Sequence, residues 1–436
     1  MKVNVIGAGL AGCEAAYKLA QCGINVDLYE MKPAKMSPAH HDENIFAELV
    51  CSNSLKAARI ESAAGLLKEE MRRLGSICMQ AAEKSSVAAG GALAVDRDLF
   101  SGYITDSIKS NPLINVICET VETIDFDIPT IVATGPLTDS ALAKCISDNC
   151  GGMLNFYDAA APIISAESVD MSKAFLASRY DRGGDDYINC PMNKAEYDAF
   201  YDALMSAERI ELKSFENDRK LYEGCMPVEL MAERGHDTIR FGPLKPVGLR
   251  DPATGHRPWA NLQLRKENAA GTLYNLVGFQ TNLKFSEQKR VFSMIPALHD
   301  AEFFRYGVMH RNTFINSPAV LNENLSLKGH ENIFFAGQIT GVEGYMESAS
   351  NGILAAINMV HYLKNEEHLT LPDYTMIGAL TGYISDRTVT DFQPMGANFG
   401  VLPPLEKHIR DKRERYAAFS ARSLAWFDSN KGVSLT

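Results

Sequence analysis

An α/β fold with a Rossmann-like nucleotide-binding domain is predicted by three separated segments of this 436-residue chain. The first is the β-rich run Val3-Asn4-Val5-Ile6, which enters Gly7-Ala8-Gly9-Leu10-Ala11-Gly12 and then a helical pattern. The second is Ile131-Val132-Ala133-Thr134-Gly135. The third is Asn332-Ile333-Phe334-Phe335-Ala336-Gly337, followed by small and apolar residues from Glu347 to Val360.

Each segment has a physical task. In the first, Cys13 to Cys22 places Ala15, Ala16, Leu19 and Ala20 on one helical face, and Gly23 ends it. Asn25 to Glu30 reads as the second strand. Gly7 permits the tight turn, Gly9 lets backbone approach a pyrophosphate, and Gly12 lets helix and strand pack closely. Ala8, Leu10 and Ala11 complete the loop, whose helix N-terminus offers free N–H groups to phosphate. Glu30, at the end of the second strand, suits an adenosine ribose. The Gly-rich turn alone does not choose between NAD and FAD. The strand ending at Gly135 and the strand ending at Gly337 with its returning helix favour FAD, bound in the manner of flavoproteins of the two-dinucleotide-binding type. No second GxGxxG is present for a nicotinamide cofactor.

These segments divide the chain into an FAD-binding domain in two parts, 1–165 and 300–436, around an inserted α+β domain at 166–299. The insert has a helical stretch, Asn193 to Glu208, then a turn-rich part with Gly242-Pro243, Asp251-Pro252 and Arg257-Pro258, and a strand-like run from Leu273 to Phe279. The chain carries a net charge of −11, which argues against nonspecific binding to nucleic acid. Residues 236–290 reverse that balance with nine Lys/Arg against four acids, interleaved with Trp259, Tyr274 and Phe279. Lys407 to Arg422 is a second basic stretch. Charge alone leaves a solvated surface and an RNA contact both open. No run reaches the length of a membrane span, so no membrane association is expected. Leu10-Ala11-Gly12-Cys13 has the form of a lipoprotein processing site, but the preceding apolar run is too short.

The nine cysteines are too sparse for a disulfide scaffold and show no zinc spacing, which points to reduced thiols in a cytoplasmic protein without a metal. Cys13, Cys22, Cys78, Cys118 and Cys145 have packing contexts. Two do not. Cys51 lies in Phe46-Ala47-Glu48-Leu49-Val50-Cys51-Ser52-Asn53-Ser54, expected just before a helix through Leu66 to Leu74, where a helix N-terminus would favour thiolate. Cys225 lies in Tyr222-Glu223-Gly224-Cys225-Met226-Pro227, where Gly and Pro imply an exposed turn.

Together with VIGAGLAG (5–12), LYEM (28–31), GLLKEEMRRL (65–74), GGALAVDR (90–97), ATGPLT (133–138), FYDAAAPI (156–163), FGPLKPVGL (241–249), AGTLYNLVGFQT (270–281), RYGVMHRNTFINSP (305–318) and FFAGQITGVEGYMES (334–348), these contexts span nearly the whole chain in order. The sequence resembles the TrmFO family, bacterial folate- and FAD-dependent tRNA uracil-5-methyltransferases. The resemblance implies methylation of the T-loop uridine at conventional position 54 of tRNA, with methylene drawn from 5,10-methylenetetrahydrofolate. Methylene is one reduction level short of methyl, so reduced flavin supplies a hydride and NAD(P)H restores it. The same chemistry on a ribosomal RNA uridine, and a small-molecule FAD oxidoreductase, are the alternatives. By motif, Cys51 and Cys225 become the catalytic thiols. Cys225 is favoured as nucleophile at uracil C6, and Cys51 as base or protector of an intermediate, with the reverse assignment open. Glu343 and Tyr345 precede the last flavin helix. Tyr345 is expected near the pterin, in proton transfer, or as a packing residue, and His310 is a further stacking candidate. The resemblance also turns the 236–290 patch towards tRNA.

Overall fold

The computed structural model describes residues 1–37, 39–181, 183–210, 226–430 and 432, and the side chains at 156–158, 181, 310 and 311 lie outside that description. Strands β1 (Lys2–Ile6) and β2 (Asn25–Glu30) pair in parallel, connected by helix α1 (Leu10–Gln21). The sheet runs in the order Ser326–Leu327, His330–Phe335, Thr130–Val132, β1, β2, Ile114–Cys118. All its pairs are parallel except the first. Helices cover the sheet, so its central strands read as continuous apolar runs. In register, Phe335 lies against Val132, Val132 against Ile6, and Ile6 against Tyr29. The three predicted segments therefore end side by side along one edge, where open α/β sheets bind ligands.

The last of them continues into the helix Tyr345–Lys364, which is longer at both ends than the spacing predicts. It packs directly on α1. A Cβ built on Gly352 would stand 2.2 Å from the carbonyl oxygen of Ala11, and one on Gly12 only 1.8 Å from that of Gly7. Both contacts need glycine because backbone meets backbone without room for a side chain. A helical layer of α2 (Ala63–Arg73), Met376–Ser385 and Lys412–Ser429 closes the outer side.

The second sheet is antiparallel throughout, in the order Phe175–Leu176, Tyr187–Met192, Ala260–Lys266, Leu273–Leu276, Ile163–Ser165, Phe303–Arg305. Two of its strands lie a few residues outside the expected 166–299 insert. Its own core includes Tyr197, Phe200, Phe279 and Phe292. The helix anticipated at Asn193–Glu208 spans Lys194–Met205, started by a reciprocal Asn193–Glu196 capping box. A two-stranded antiparallel ribbon, Met153–Ala159 with Met309–Ile315, connects this unit to the first sheet.

Candidate active site

A cleft of about 1080 Å³ opens along the C-terminal edge of the parallel sheet. Gly7, Gly9, Leu10, Ala11, Glu30, Gly135, Gly337 and Tyr345 all line it. Gly9 caps α1 with no side-chain hydrogen bond, so first-turn N–H groups face the cleft unclaimed by a cap. A Cβ on Gly9 or Gly135 would meet nothing within 4 Å, so both mark open space in which a ligand can approach backbone. The Gly337 backbone is in the positive-φ region, at 84°, and its Cβ would strike Ala11. Ala8 and Gly12 do not line the cleft. The Ala8 N–H donates to Glu30 Oε2 at 2.9 Å, and the Lys32 N–H donates to Oε1 at 3.0 Å. The Glu30 carboxylate is thereby fixed at the adenosine end, with lone pairs remaining for ribose hydroxyls. This donor set fits FAD.

The cleft runs at its Gln338–Tyr345 end into a second one of about 1390 Å³, and Val50, Pro136 and Leu137 line both. The second cleft holds Cys51, Glu343, Gln280 and Asn312. Cys51 is half-buried, with its Sγ 3.9 Å from the Ala159 carbonyl oxygen. It is not at a helix start. A strand, Ser54–Ala57, follows it, and α2 begins only at Ala63, where the Ser62 side chain accepts the Gly65 N–H. The dipole of α2 therefore does not act on this thiol.

What surrounds Cys51 instead is a ring of guanidinium groups. Arg97 donates to the Leu49 carbonyl at 2.5 Å and the Cys51 carbonyl at 3.3 Å. Arg305 donates to Val50 O at 2.6 Å. Arg265 donates to Ser52 Oγ and Asn53 Oδ1, both at 2.9 Å. One carboxylate, Glu267, pairs with Arg97 at 2.7 Å. Five consecutive residues are thus held by three cations from different parts of the chain. Burial pulls the Arg265 and Arg305 side chains below the usual guanidinium range, the cost of taking charge out of water. On the other side, Tyr345 Oη accepts the Cys51 N–H at 2.7 Å and the Ser52 N–H at 3.1 Å. Burial, with the Cys51 charge adding to it, pushes the phenol up, so Tyr345 keeps a proton of its own to donate. Glu343 is buried and accepts from Gln338 Nε2 at 2.6 Å.

The chain has relatives over nearly its whole length. A family model described as glucose inhibited division protein A matches residues 2–367. The methylenetetrahydrofolate--tRNA-(uracil-5-)-methyltransferase TrmFO of Acetivibrio thermocellus is 58% identical over 423 residues, covering 97% of each chain. That of Staphylococcus carnosus is 56% identical over 431 residues, 98% of each. The chain belongs to the TrmFO family. A solved GidA structure from Aquifex aeolicus superposes with a TM-score of 0.71 at 16% identity, covering all of this chain and 74% of its own, which supports the fold.

Within this TrmFO chain, Cys225 and its neighbours from 211 lie outside the described residues, as does the His310 side chain. Arg265, one of the basic residues of 236–290, is only 8% exposed and turned to the Cys51 loop. Other members of that patch are already paired: Arg240 with Asp237, Lys284 with Glu208, Arg290 with Glu287. Tyr274 and Phe279 are buried in the insert's core, and Arg240 covers Trp259 at 3.7 Å from the ring centre. Arg250, Arg257 and Lys289 remain exposed. In the second basic stretch, Arg422 donates to Pro403 and Pro404 carbonyls. Of the cysteines expected to pack, Cys13 and Cys78 are buried and burial raises both thiols, whereas Cys118, the last residue of its strand, is exposed. Arg97 and Arg305 lie in motifs of the sequence, yet no spacing links them to residue 51. Among the described residues, no helix is long and apolar enough to cross a membrane.

Proposed function

We propose that this chain methylates C5 of the T-loop uridine of tRNA, taking methylene from 5,10-methylenetetrahydrofolate and electrons from NAD(P)H through FAD. The observation that carries the proposal is the junction of the two clefts: the dinucleotide site opens, at Tyr345, onto a space that holds a thiol. Bound FAD supplies the two electrons that raise methylene to methyl. The chain's own residues do the rest. A thiolate adds to uracil C6 and makes C5 nucleophilic. C5 then bonds to the methylene carbon, a base removes the C5 proton as that carbon's bond to the folate nitrogen breaks, and the sulfur leaves C6 as the carbon gains a hydride.

Cys51 and Cys225 are assigned as the two thiols. Val228, three residues after Cys225, donates its N–H at 2.7 Å to the carbonyl of Gln280, which lines the second cleft. Cys225 is placed as the C6 nucleophile and Cys51 as base or protector. Tyr345 and the arginine ring orient the Cys51 loop. Exposed cations of the insert would face tRNA. The test is incubation with unmodified tRNA transcript, methylenetetrahydrofolate and NADPH, followed by nucleoside mass spectrometry. Formation of 5-methyluridine is the expected result, and none forming, with FAD bound, would overturn the proposal.

A further inference from the structure

The insert carries an aromatic feature that the reaction does not explain. Phe303, Tyr306 and Phe285 form a run of near-parallel rings. The Phe303–Tyr306 centres are 5.2 Å apart at 7°, and the Tyr306–Phe285 centres 4.9 Å apart at 13°. One end is anchored, because Phe303 packs against the core of the insert. The other end is in water: Phe285 is 49% exposed. Phe304, between them on the edge strand of the second sheet, is 70% exposed. Clustered exposed aromatics on a sheet edge invite aggregation unless they serve a partner.

The run is held rigidly. Gln288, fully buried on the helix that starts at Phe285, donates to the Gly307 carbonyl and accepts the Gly307 N–H, both at 2.8 Å. This double amide bond locks the chain beside Tyr306 to the helix bearing Phe285. The run also adjoins the second cleft. A Cβ on Gly307 would lie 2.6 Å from the carbonyl of Ala160, which lines that cleft, and Arg305 reaches the carbonyl of Val50. Lys289 is four residues beyond Phe285, so the two share a helix face, and Lys289 is exposed.

We propose that Phe285, backed by Tyr306 and Phe303, is a stacking platform for an unpaired base of the RNA substrate, with Lys289 meeting the adjoining phosphate. The proposal rests on the RNA reading above. A ring stack that ends in solvent offers its last face to the next flat ring, and a nucleobase beside a phosphate matches both the face and the cation. Placed at the rim of the thiol-bearing cleft, the platform would receive a base neighbouring the target uridine and hold the loop open around it.

The test uses the FAD-bound full chain and a fluorescently labelled tRNA transcript. Phe285→Ala should weaken binding by about tenfold or more, and Phe285→Trp should restore it to within about twofold. Lys289→Gln should lower the magnitude of the log–log salt slope by about one. NADPH oxidation without RNA should stay unchanged in all three. Wild-type affinity in Phe285→Ala overturns the platform. So does a result in which Phe285→Ala alters only self-association, read by sedimentation. Methylation is followed in parallel. A wild type that binds tRNA through Phe285 yet forms no 5-methyluridine would sink the proposed reaction and leave the platform standing.

Discussion

Tyr345 illustrates how one atom can set a reactive group. Its Oη takes the N–H of Cys51 and of Ser52, so Tyr345→Phe leaves two amides without their acceptor. That costs about 1–3 kcal/mol per unsatisfied donor, and the loop is expected to shift. Methyl transfer should fall at least about tenfold while flavin content is kept, and an unchanged rate would show that the bond is incidental. Cys51→Ala and Cys225→Ala should each abolish methyl transfer from labelled folate. Cys22→Ala should not, because that thiol is half-buried at the C-terminal cap of α1 and burial raises it. Gly9→Val puts a branched side chain into the open space before α1. The purified variant should lose its yellow colour, and a full complement of flavin would refute the placement.

Among the elements, Glu70 on α2 carries a pH dependence. It is fully buried and accepts N–H bonds from Met376 and Ile377, the first residues of the helix Met376–Ser385. Burial is the main cause that lifts its carboxyl to about 7 from an ordinary 4.5. Between those values the folded chain binds more protons than the unfolded one, so this contribution to stability falls as pH rises from 4.5 to 7. The loss is at most about 3.5 kcal/mol, from about 1.4 kcal/mol per pKa unit. Melting temperature from pH 5 to 7.5 should decline more steeply in the wild type than in Glu70→Gln; parallel curves would remove Glu70 from the balance. The elements were read from sequence with uneven success, for physical reasons. β1, α1 and β2 are local: one glycine pattern and one hydrophobic period specify them. The strand at Ser54–Ala57 is not legible because its pairing partner, Ala92–Val95, is remote in sequence; the helix expected through Leu66 to Leu74 is present as Ala63–Arg73, with that strand standing between it and Cys51. The arginine ring was illegible for the same reason, since residues 97, 265 and 305 meet 49–53 only through tertiary packing. Tyr274 and Phe279 stand among the basic residues in sequence but lie in the core of the insert, because composition does not say which face of the insert a side chain occupies.

For the whole molecule, the net charge of −11 confines RNA contact to places where the local sign is reversed. With Arg240, Arg265, Lys284 and Arg290 paired within the chain, Arg257, which is exposed, and Lys266, which is half-buried, are the two to test against phosphate. Reversing both to Glu should weaken tRNA binding and flatten its salt slope, with flavin content and NADPH oxidation normal; unchanged affinity and slope would make the patch a solvated surface. The division of the chain between the two sheets also bears on how it is made. The antiparallel sheet draws on residues 163–305, a continuous stretch, whereas the parallel sheet joins 2–6 to 130–132 and then to 330–335. On a ribosome, the first β-α-β unit can pair early with Thr130–Val132, but His330–Phe335, which pairs on the far side of that strand, and the helix Tyr345–Lys364, which packs on α1, emerge about 300 residues after it. Its Gly-rich turn therefore waits, with apolar flanks exposed, through most of synthesis, while the insert can begin to order as it leaves the tunnel. The Cys51 loop waits as well, because its cations at 265 and 305 arrive late. Flavin capture belongs to the final stage of translation, and a chaperone-sensitive interval before it is built into the order of the strands.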